Sequence, residues 1–390
     1  MRVLIANKFY YNRGGDCIAS IALETLLRER GHEVAFFSMA HPNNFQSEWT
    51  PFFPSQVDFQ AKGFCNKLRA ANRIFHSSEV KEKFTLLLRT FKPDILHLNN
   101  IHSQLSPLIG EIAHKQGIKV IWTLHDYKLI CPNYTCLRNG IVCEDCLHYG
   151  LSNVWRHRCM KDSLAASILA YLEATVWNKK RLISNTDYFI APSAFLASKM
   201  VEGGFPNIKV AVIPNYSSRT LATKRPRKKD YYCYIGRLSE EKGLKTLIHV
   251  AKQIPFPLIV VGDGPLKEEL QIHHESIVFT GHKEWFELET IIASARFMII
   301  PSEWYENNPL SVIEALSLGT PVLGANIGGI PELINEHNGM LFEAGNAIDM
   351  REKIEQMFSK TYNYTDICTA AREKYSAESY YRKLIEIYEQ

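Results

Sequence analysis

Arg237 and Lys242 stand five positions apart in Gly236-Arg237-Leu238-Ser239-Glu240-Glu241-Lys242-Gly243, where an apolar run gives way to a helical pattern. Two cations at a strand end and helix start suit a diphosphate: a guanidinium forks two oxygens and an ammonium adds a mobile charge. The first helical turn adds unpaired backbone N–H groups. Basic residues near turns are also common without any ligand. Glu306 and Glu314 lie eight positions apart in Pro301-Ser302-Glu303-Trp304-Tyr305-Glu306-Asn307-Asn308-Pro309-Leu310-Ser311-Val312-Ile313-Glu314-Ala315. Asn308 reads as the N-cap, and Pro309 as the first position, of a helix over 309–318 that stops at Gly319. Glu314 then stands on an apolar helix, where burying a carboxylate requires hydroxyl or cationic partners. Ribose hydroxyls would satisfy it. In the first half, Val120-Ile121-Trp122-Thr123-Leu124-His125-Asp126-Tyr127 brings His125 and Asp126 to a strand C-terminus. A lone histidine is more often a satisfied polar residue than a catalytic one, and His97 reads as structural or cleft-lining.

Nine cysteines are present, five of them from Cys131 to Cys159. In a reducing cytosol such a cluster is not a disulfide framework. Cys143-Glu144-Asp145-Cys146 has the two-residue spacing of a zinc knuckle. Free or redox-labile thiols are the alternative, and an iron–sulfur cluster needs more than spacing.

The elements that must position these groups follow from hydrophobic patterning. At 390 residues, with 46% hydrophobic and 22% charged, the chain suits two full domains. A net charge of +4 excludes a strongly basic nucleic-acid binder but allows attraction to anionic lipid or phosphate. The opening MRVLIANKFYYNRGG is too brief an apolar run for a secretory signal. No stretch reaches the ~18 uninterrupted apolar residues that span a bilayer. A cytoplasmic location follows as the expectation, with peripheral contact at the inner face of the cell membrane left open.

Short β-branched runs alternate with amphipathic stretches, which indicates parallel sheets with crossover helices. Strands are expected at 1–6, 34–37, 94–98, 119–123, 188–191 and 209–213, with a helix over 19–30 ending at Gly31. After 217–230, which carries the basic run Lys224-Arg225-Pro226-Arg227-Lys228-Lys229, a second series has strands at 231–235, 258–261, 277–280, 297–300 and 320–323. The stretch 217–230 reads as an exposed linker. Its basic run is commonly only solvated, with anionic lipid or acceptor contact as the alternative. The division is therefore 1–216, a linker 217–230, and 231–373. A last helix near 374–390 packs back on the first half, with Tyr380, Leu384, Ile387 and Tyr388 at core spacing. The aromatic-rich 43–73 could gate an acceptor site or cover the first sheet. Two Rossmann-like halves would line one shared cleft with their strand C-termini.

The glutamate pair, preceded by Pro-Ser and followed by Glu-Ala-Leu-x-x-Gly-Thr-Pro-Val, resembles glycosyltransferase family 4. So do Gly236-Arg237-Leu238 with Glu241-Lys242-Gly243, Val261-Gly262-Asp263-Gly264-Pro265 and Gly328-Gly329-Ile330-Pro331-Glu332. These pieces cover nearly all of 231–342. The resemblance implies a retaining enzyme of GT-B architecture, an α/β fold of two Rossmann-like domains, acting on a nucleotide-diphosphate sugar. It implies that Arg237 and Lys242 hold the diphosphate in place of a divalent ion, so that no catalytic metal or cofactor is needed. Glu314 would bind ribose and Glu306 the transferred sugar. Main-chain N–H groups from Asn307, Asn308 and Leu310 would meet the distal phosphate and sugar. His282 would present backbone to the base, and His125 would touch the sugar. Gly15, of the pair Gly14-Gly15, would approach the phosphate, with an ordinary turn glycine as the alternative. Gly262 and Gly264 are assigned mainly structural roles. Some bacterial relatives carry a similar cysteine insertion, which favours Cys131, Cys143, Cys146 and Cys159 as ligands of a structural zinc, with Cys136 spare.

A nicotinamide dehydrogenase is disfavoured, because Gly14-Gly15 is not a GxGxxG and no acidic ribose partner follows the second strand. The remaining rivals are a nucleotide-sugar epimerase on the same fold and a non-catalytic sugar-nucleotide-binding subunit. The expected acceptor is a glycan or lipid-linked glycan in polysaccharide or glycolipid assembly, by family analogy alone.

Overall fold

The computed structural model describes residues 1–57, 73, 77–219, 226–271 and 274–390. Residues 58–72 of the aromatic-rich 43–73, and the first part of the basic run, therefore lie outside the described residues.

The first sheet contains β1 (Arg2–Ala6), β2 (Glu33–Phe37), β3 (Ile95–Leu98), β4 (Lys119–Thr123), β7 (Tyr188–Ala191) and β8 (Val210–Val212). A small hairpin, β5 (Leu137–Arg138) and β6 (Ile141–Val142), lies apart from it. The second sheet contains β9 (Tyr232–Ile235), β10 (Leu258–Val261), β11 (Ile277–Gly281), β12 (Phe297–Ile300), β13 (Val322–Ala325) and β14 (Gly339–Phe342). Both six-stranded sheets are wholly parallel, in the orders β2-β1-β3-β4-β7-β8 and β11-β10-β9-β12-β13-β14. The strands are buried on both faces by crossover helices and so read as unbroken apolar runs, such as Val3-Leu4-Ile5-Ala6, entirely shielded from solvent.

Strand order reverses between β1 and β3 in the first sheet, and between β9 and β12 in the second. Loops leaving neighbouring strands at such a point diverge and open a crevice at the strand C-termini. Gly236-Arg237 follows β9, Pro301–Glu306 follows β12, and Asn99-Asn100 follows β3.

Most expected strands fall within one or two residues of those observed. The expected strand at 320–323 is instead Val322–Ala325: Thr320 is buried in the preceding turn, where its hydroxyl donates to the Ile292 carbonyl at 2.8 Å. β14, β5 and β6 were not anticipated. The first helix spans Gly15–Glu29, beginning four residues before its expected start. Lys228, late in the expected exposed linker, packs on the second domain by donating to Thr320 Oγ1 at 2.7 Å.

Two helices, Tyr364–Lys374 and Ala377–Glu389, end the chain, and the Ser376 side chain caps the second. Leu384, Ile387 and Tyr388 of the last helix belong to the first domain's core. The Tyr388 hydroxyl meets His97 Nδ1 at 2.5 Å, and Lys119 Nζ donates to the Tyr388 carbonyl at 2.9 Å. His97, whose Nε2 meets Thr123 Oγ1 at 2.8 Å, is a buried structural anchor; burial and nearby His125 push its pKa down to about 3.

Leu384 is fully buried. Leu384→Ala is expected to cost about 2–5 kcal/mol by lost transfer energy and cavity formation. Urea denaturation should show the first domain losing stability although the substitution is six residues from the chain end.

Candidate active site

A single ion pair organises the second domain's side of the crevice. Lys242 Nζ lies 2.6 Å from Glu306 Oε1, and Ser302 Oγ donates to the same oxygen at 2.7 Å. Burial alone would raise the Glu306 pKa, but the Lys242 charge, its hydrogen bond and Ser302 outweigh it and leave the carboxyl below its usual range. Glu306 is therefore a fixed anion. The Lys242 ammonium also lies 5.0 Å from the centre of the Trp304 ring.

Glycines support this arrangement from beneath. Gly243 has φ +67°, and a Cβ there would come within 1.9 Å of the Pro301 carbonyl. A Cβ on Gly329 would lie 1.8 Å from the Asn307 carbonyl, and its N–H donates to the Glu306 carbonyl at 2.7 Å. Gly262 serves the neighbouring loop, since its Cβ would meet the Gly236 carbonyl at 1.9 Å.

The loop after Glu306 reaches across to the first domain. Ser193 Oγ donates to Asn307 Oδ1 at 2.7 Å, and Asn307 Nδ2 donates to the Leu124 carbonyl at 3.1 Å. Asn215 N–H donates to Asn308 Oδ1 at 2.9 Å. Asn308 is thus not the helix N-cap the sequence suggests. The helix spans Leu310–Ser317, with Pro309 in extended conformation before it and no side-chain cap. Its start has no side-chain acceptor, and Leu310 at that end lines the cleft described next. Glu332 makes a further tie, accepting from the Ala194 and Phe195 N–H groups at 2.8 and 2.6 Å.

Opposite Glu306, a cleft of about 320 Å³ is lined by Gly15, Asp16, Asn100, His125, Asp126 and Tyr127 of the first domain, and by Glu306, Asn307, Asn308 and Leu310 of the second. His125 Nε2 meets Asn99 Oδ1 at 2.9 Å. Burial, partly opposed by Asp16, lowers the His125 pKa and favours the neutral ring; burial raises that of Asp126. Asn99 Nδ2, Asn100 Oδ1 and Tyr127 Oη are buried without hydrogen-bond partners. Two of the three, on Asn100 and Tyr127, belong to residues lining the cleft, where they leave polar atoms free for a bound polar group. Gly15 is neither strained nor crowded, since a Cβ there would meet nothing within 4 Å. The fold does not require glycine at this position.

Glu314 lies deeper in the second domain. Its carboxyl is mostly desolvated, which raises its pKa to about 7 against the opposing pull of Arg219, whose Nε lies 3.6 Å away. Arg219 also lies over the Trp285 ring, at 5.0 Å from its centre. Arg237 is exposed, and His282 is exposed near Glu284 at 3.9 Å. None of Arg237, Lys242, His282 and Glu314 lines the cleft around His125, which Glu306 reaches directly. Arg219, Asn99, Asn100, Ser193 and Asn215 carry no motif. Only the position of Asn99, Asn100 and Asn215 just after strands could have pointed to them.

Thiols of Cys136 and Cys146 donate to the Cys131 sulfur and hold it well below the usual thiol range. Cys136 thus lies beside Cys131. Cys136 and Cys146 contact Cys131, yet among the described residues the group compact enough to place three ligand atoms within 4.8 Å of one another is Glu144, His148 and Glu202. The thiols do not form a closed tetrahedron as placed. Lys199 Nζ lies 2.7 Å from Glu144 and 3.0 Å from Glu202, supplying the positive charge at that acidic group.

Two parallel Rossmann-like six-stranded sheets, with a polar cleft between their strand C-termini, define a GT-B glycosyltransferase. A family model for "Glycosyltransferase Family 4" matches residues 21–216, and one for "Glycosyl transferases group 1" matches 221–374. The chain belongs to glycosyltransferase family 4. It is 36% identical over 297 residues to the sulfoquinovosyl transferase SQD2 of Arabidopsis thaliana, a match covering 73% of this chain and 53% of that protein. It is 21% identical to the N-acetyl-alpha-D-glucosaminyl L-malate synthase of Bacillus anthracis, over 100% of this chain and 96% of the relative. An uncharacterized protein from the cps region of Klebsiella pneumoniae is 22% identical, over 85% of this chain and 87% of its own. Among solved structures, sucrose-phosphate synthase of Thermosynechococcus elongatus aligns with TM-score 0.72 at 18% identity, over 100% of this chain and 98% of its own. Anabaena HepE in complex with UDP-glucose aligns with TM-score 0.66 at 16% identity, over 99% and 98%.

The raised Glu314 pKa has a stability consequence. Between the unfolded carboxyl value and about 7, the folded state holds the proton that the unfolded state has lost, so stability falls as pH rises through this window. Glu314→Gln removes that penalty, worth up to about 3 kcal/mol. Thermal melts should show the variant more stable than wild type at pH 8 and nearly equal to it at pH 5.

Proposed function

We propose that this chain is a retaining glycosyltransferase. It moves a sugar from a nucleotide-diphosphate donor to a hydroxyl of a glycan or lipid-linked glycan, in cell-surface polysaccharide or glycolipid assembly. The observation that carries the reading is Glu306, held by Lys242 at the second sheet's reversal point, lining one cleft with Gly15 and His125 of the first domain. HepE has been captured with UDP-glucose, and starch synthase IV of Arabidopsis thaliana with ADP. SQD2 is a sulfoquinovosyl transferase, and the Klebsiella relative is encoded in a cps region.

In this reading Lys242 keeps one proton on Glu306 and turns the others, with exposed Arg237, toward the diphosphate. Glu306 accepts from a sugar hydroxyl, Glu314 exchanges Arg219 for ribose hydroxyls, and backbone near His282 meets the base. The N–H groups of Asn307, Asn308 and Leu310 bind the distal phosphate and sugar, while His125 contacts the sugar from the other domain. The bond from the anomeric carbon to the diphosphate oxygen breaks, and the acceptor oxygen bonds to the same face. Its proton passes to the departing phosphate oxygen, so configuration is retained. Arg237, Lys242 and the helix start stabilise the developing charge, and positioning supplies the rest.

The cysteine module carries a separate proposal, a structural zinc that draws in Cys131, Cys143, Cys146 and Cys159. The convergence of sulfurs on Cys131 supports it, and Cys136 competes as a ligand. Wild type should then carry about one zinc per chain, and Cys131→Ser should lose both the metal and thermal stability. Metal-free, equally stable wild type would contradict it.

Donor binding gives the functional test. With UDP-, GDP- and dTDP-sugars, one donor at 100 times its Kd should stabilise the protein by about 2.7 kcal/mol. Slow nucleotide release should follow, and Glu306→Ala and Arg237→Ala should abolish it. Consumption of the nucleotide sugar without an acceptor, yielding an isomer, would indicate an epimerase instead. Gly15→Ala should match or slightly exceed wild-type stability, because alanine favours the helix start, while raising the donor KM about tenfold or more as its methyl enters the cleft.

A further inference from the structure

The helix Leu164–Val176 is turned inside out. Its buried residues are Ser167, Ala170 and Glu173, while Leu164, Ile168 and Leu172 are 44%, 40% and 43% exposed. These three large residues are spaced four apart and share one helical face. The inward face is fixed by polar contacts that allow no rotation. Lys128 Nζ pairs with Glu173 at 2.8 Å in a buried setting, Ser167 Oγ accepts from the Met160 N–H at 3.0 Å, and Ser163 caps the helix start. The aliphatic stripe therefore faces outward by construction.

Charge around the stripe is one-sided. Arg156, Arg158 and Lys161 precede the helix, and Lys179 and Lys180 follow it, all exposed and none paired with a carboxylate among the described residues. Residues 153–182 carry six Lys and Arg against two carboxylates, and one of the two is the buried Glu173. The short helix Asn153–Arg156 packs against Leu164–Val176, which brings its basic end to the same region. An apolar stripe with cations at both ends fits the headgroup boundary of an anionic bilayer, where side chains enter the acyl edge and ammonium and guanidinium groups meet phosphate. A second copy of the chain would set like charge against like charge.

We infer that Leu164, Ile168 and Leu172, with the basic residues at both ends of their helix, form a docking surface for an anionic lipid bilayer. This surface stands on the helix alone and does not depend on the chemistry of the cleft. It adjoins the cysteine module, whose Tyr134 lines the cleft, so docking would bring the acceptor side of the enzyme to the lipid surface.

The test is co-sedimentation of the full chain with vesicles of phosphatidylglycerol and phosphatidylcholine, and with phosphatidylcholine alone. Wild type should bind the anionic vesicles, weaken with salt, and bind neutral ones far less. The triple substitution Leu164→Ser, Ile168→Ser, Leu172→Ser removes only exposed side chains and should weaken binding about tenfold or more. Arg156→Gln with Arg158→Gln and Lys161→Gln should chiefly flatten the salt dependence. Circular dichroism and an unchanged melting temperature identify the variants as folded. No wild-type binding at low salt, or unchanged binding by the triple variant, overturns the inference. So does a dimer in solution that the triple variant dissociates, which would assign the stripe to a second copy.

Discussion

A carboxylate buried at the mouth of a parallel sheet needs a cation against it, and the Lys242–Glu306 pair meets that need where two divergent loops open the second crevice. Removing one partner of such a pair leaves an uncompensated buried charge, typically worth about 3–5 kcal/mol. The pair is therefore a constraint on everything nearby. It fixes the loop from Trp304 to Asn308 against the turn that ends at Gly243. That loop can lie so low only because Gly243 and Gly329 carry no Cβ.

The same loop is also the bridge between domains. Asn307 and Asn308 spend their side chains on Ser193, Leu124 and Asn215 rather than on capping their own helix. Glu332, just beyond the glycines, supplies the carboxylate at the start of the helix Ala194–Glu202. The start of Leu310–Ser317 is thereby left without a side-chain cap, and the same loop that carries Glu306 ties the two domains together. The last helix closes the circuit by returning Leu384 and Tyr388 to the first core.

The alternation of apolar runs and amphipathic stretches made both sheets legible, because strands buried on two faces show continuous β-branched sequence. β14 escaped notice: Gly339-Met340-Leu341-Phe342 starts with glycine and lacks β-branched residues. The unanticipated hairpin of β5 and β6 had a signal in Asn139-Gly140, whose φ values of 52° and 78° suit a tight turn. Glu306, Glu314, Arg237 and Lys242 stood out because charges at apolar borders need a reason. Asn308 misled, since an asparagine before a proline is a good local cap and only the other domain offers a competing partner. Arg219 could not be found from spacing, because its contact with Glu314 joins residues 95 positions apart. The outward stripe of Leu164, Ile168 and Leu172 is equally invisible, since helical periodicity does not say which face is buried.

Hydrogen–deuterium exchange with and without saturating nucleotide-diphosphate sugar tests the central claim most directly, because it reports backbone N–H groups wherever the ligand lies. Binding in the cleft predicts protection at three separated segments: Gly14–Asp16, Gly236–Gly243 and the start of Leu310–Ser317. The first of these belongs to the other domain, so its protection would show that both walls meet one ligand. Unchanged exchange at all three segments, or protection confined to the cysteine module or to the helix Leu164–Val176, would contradict the account.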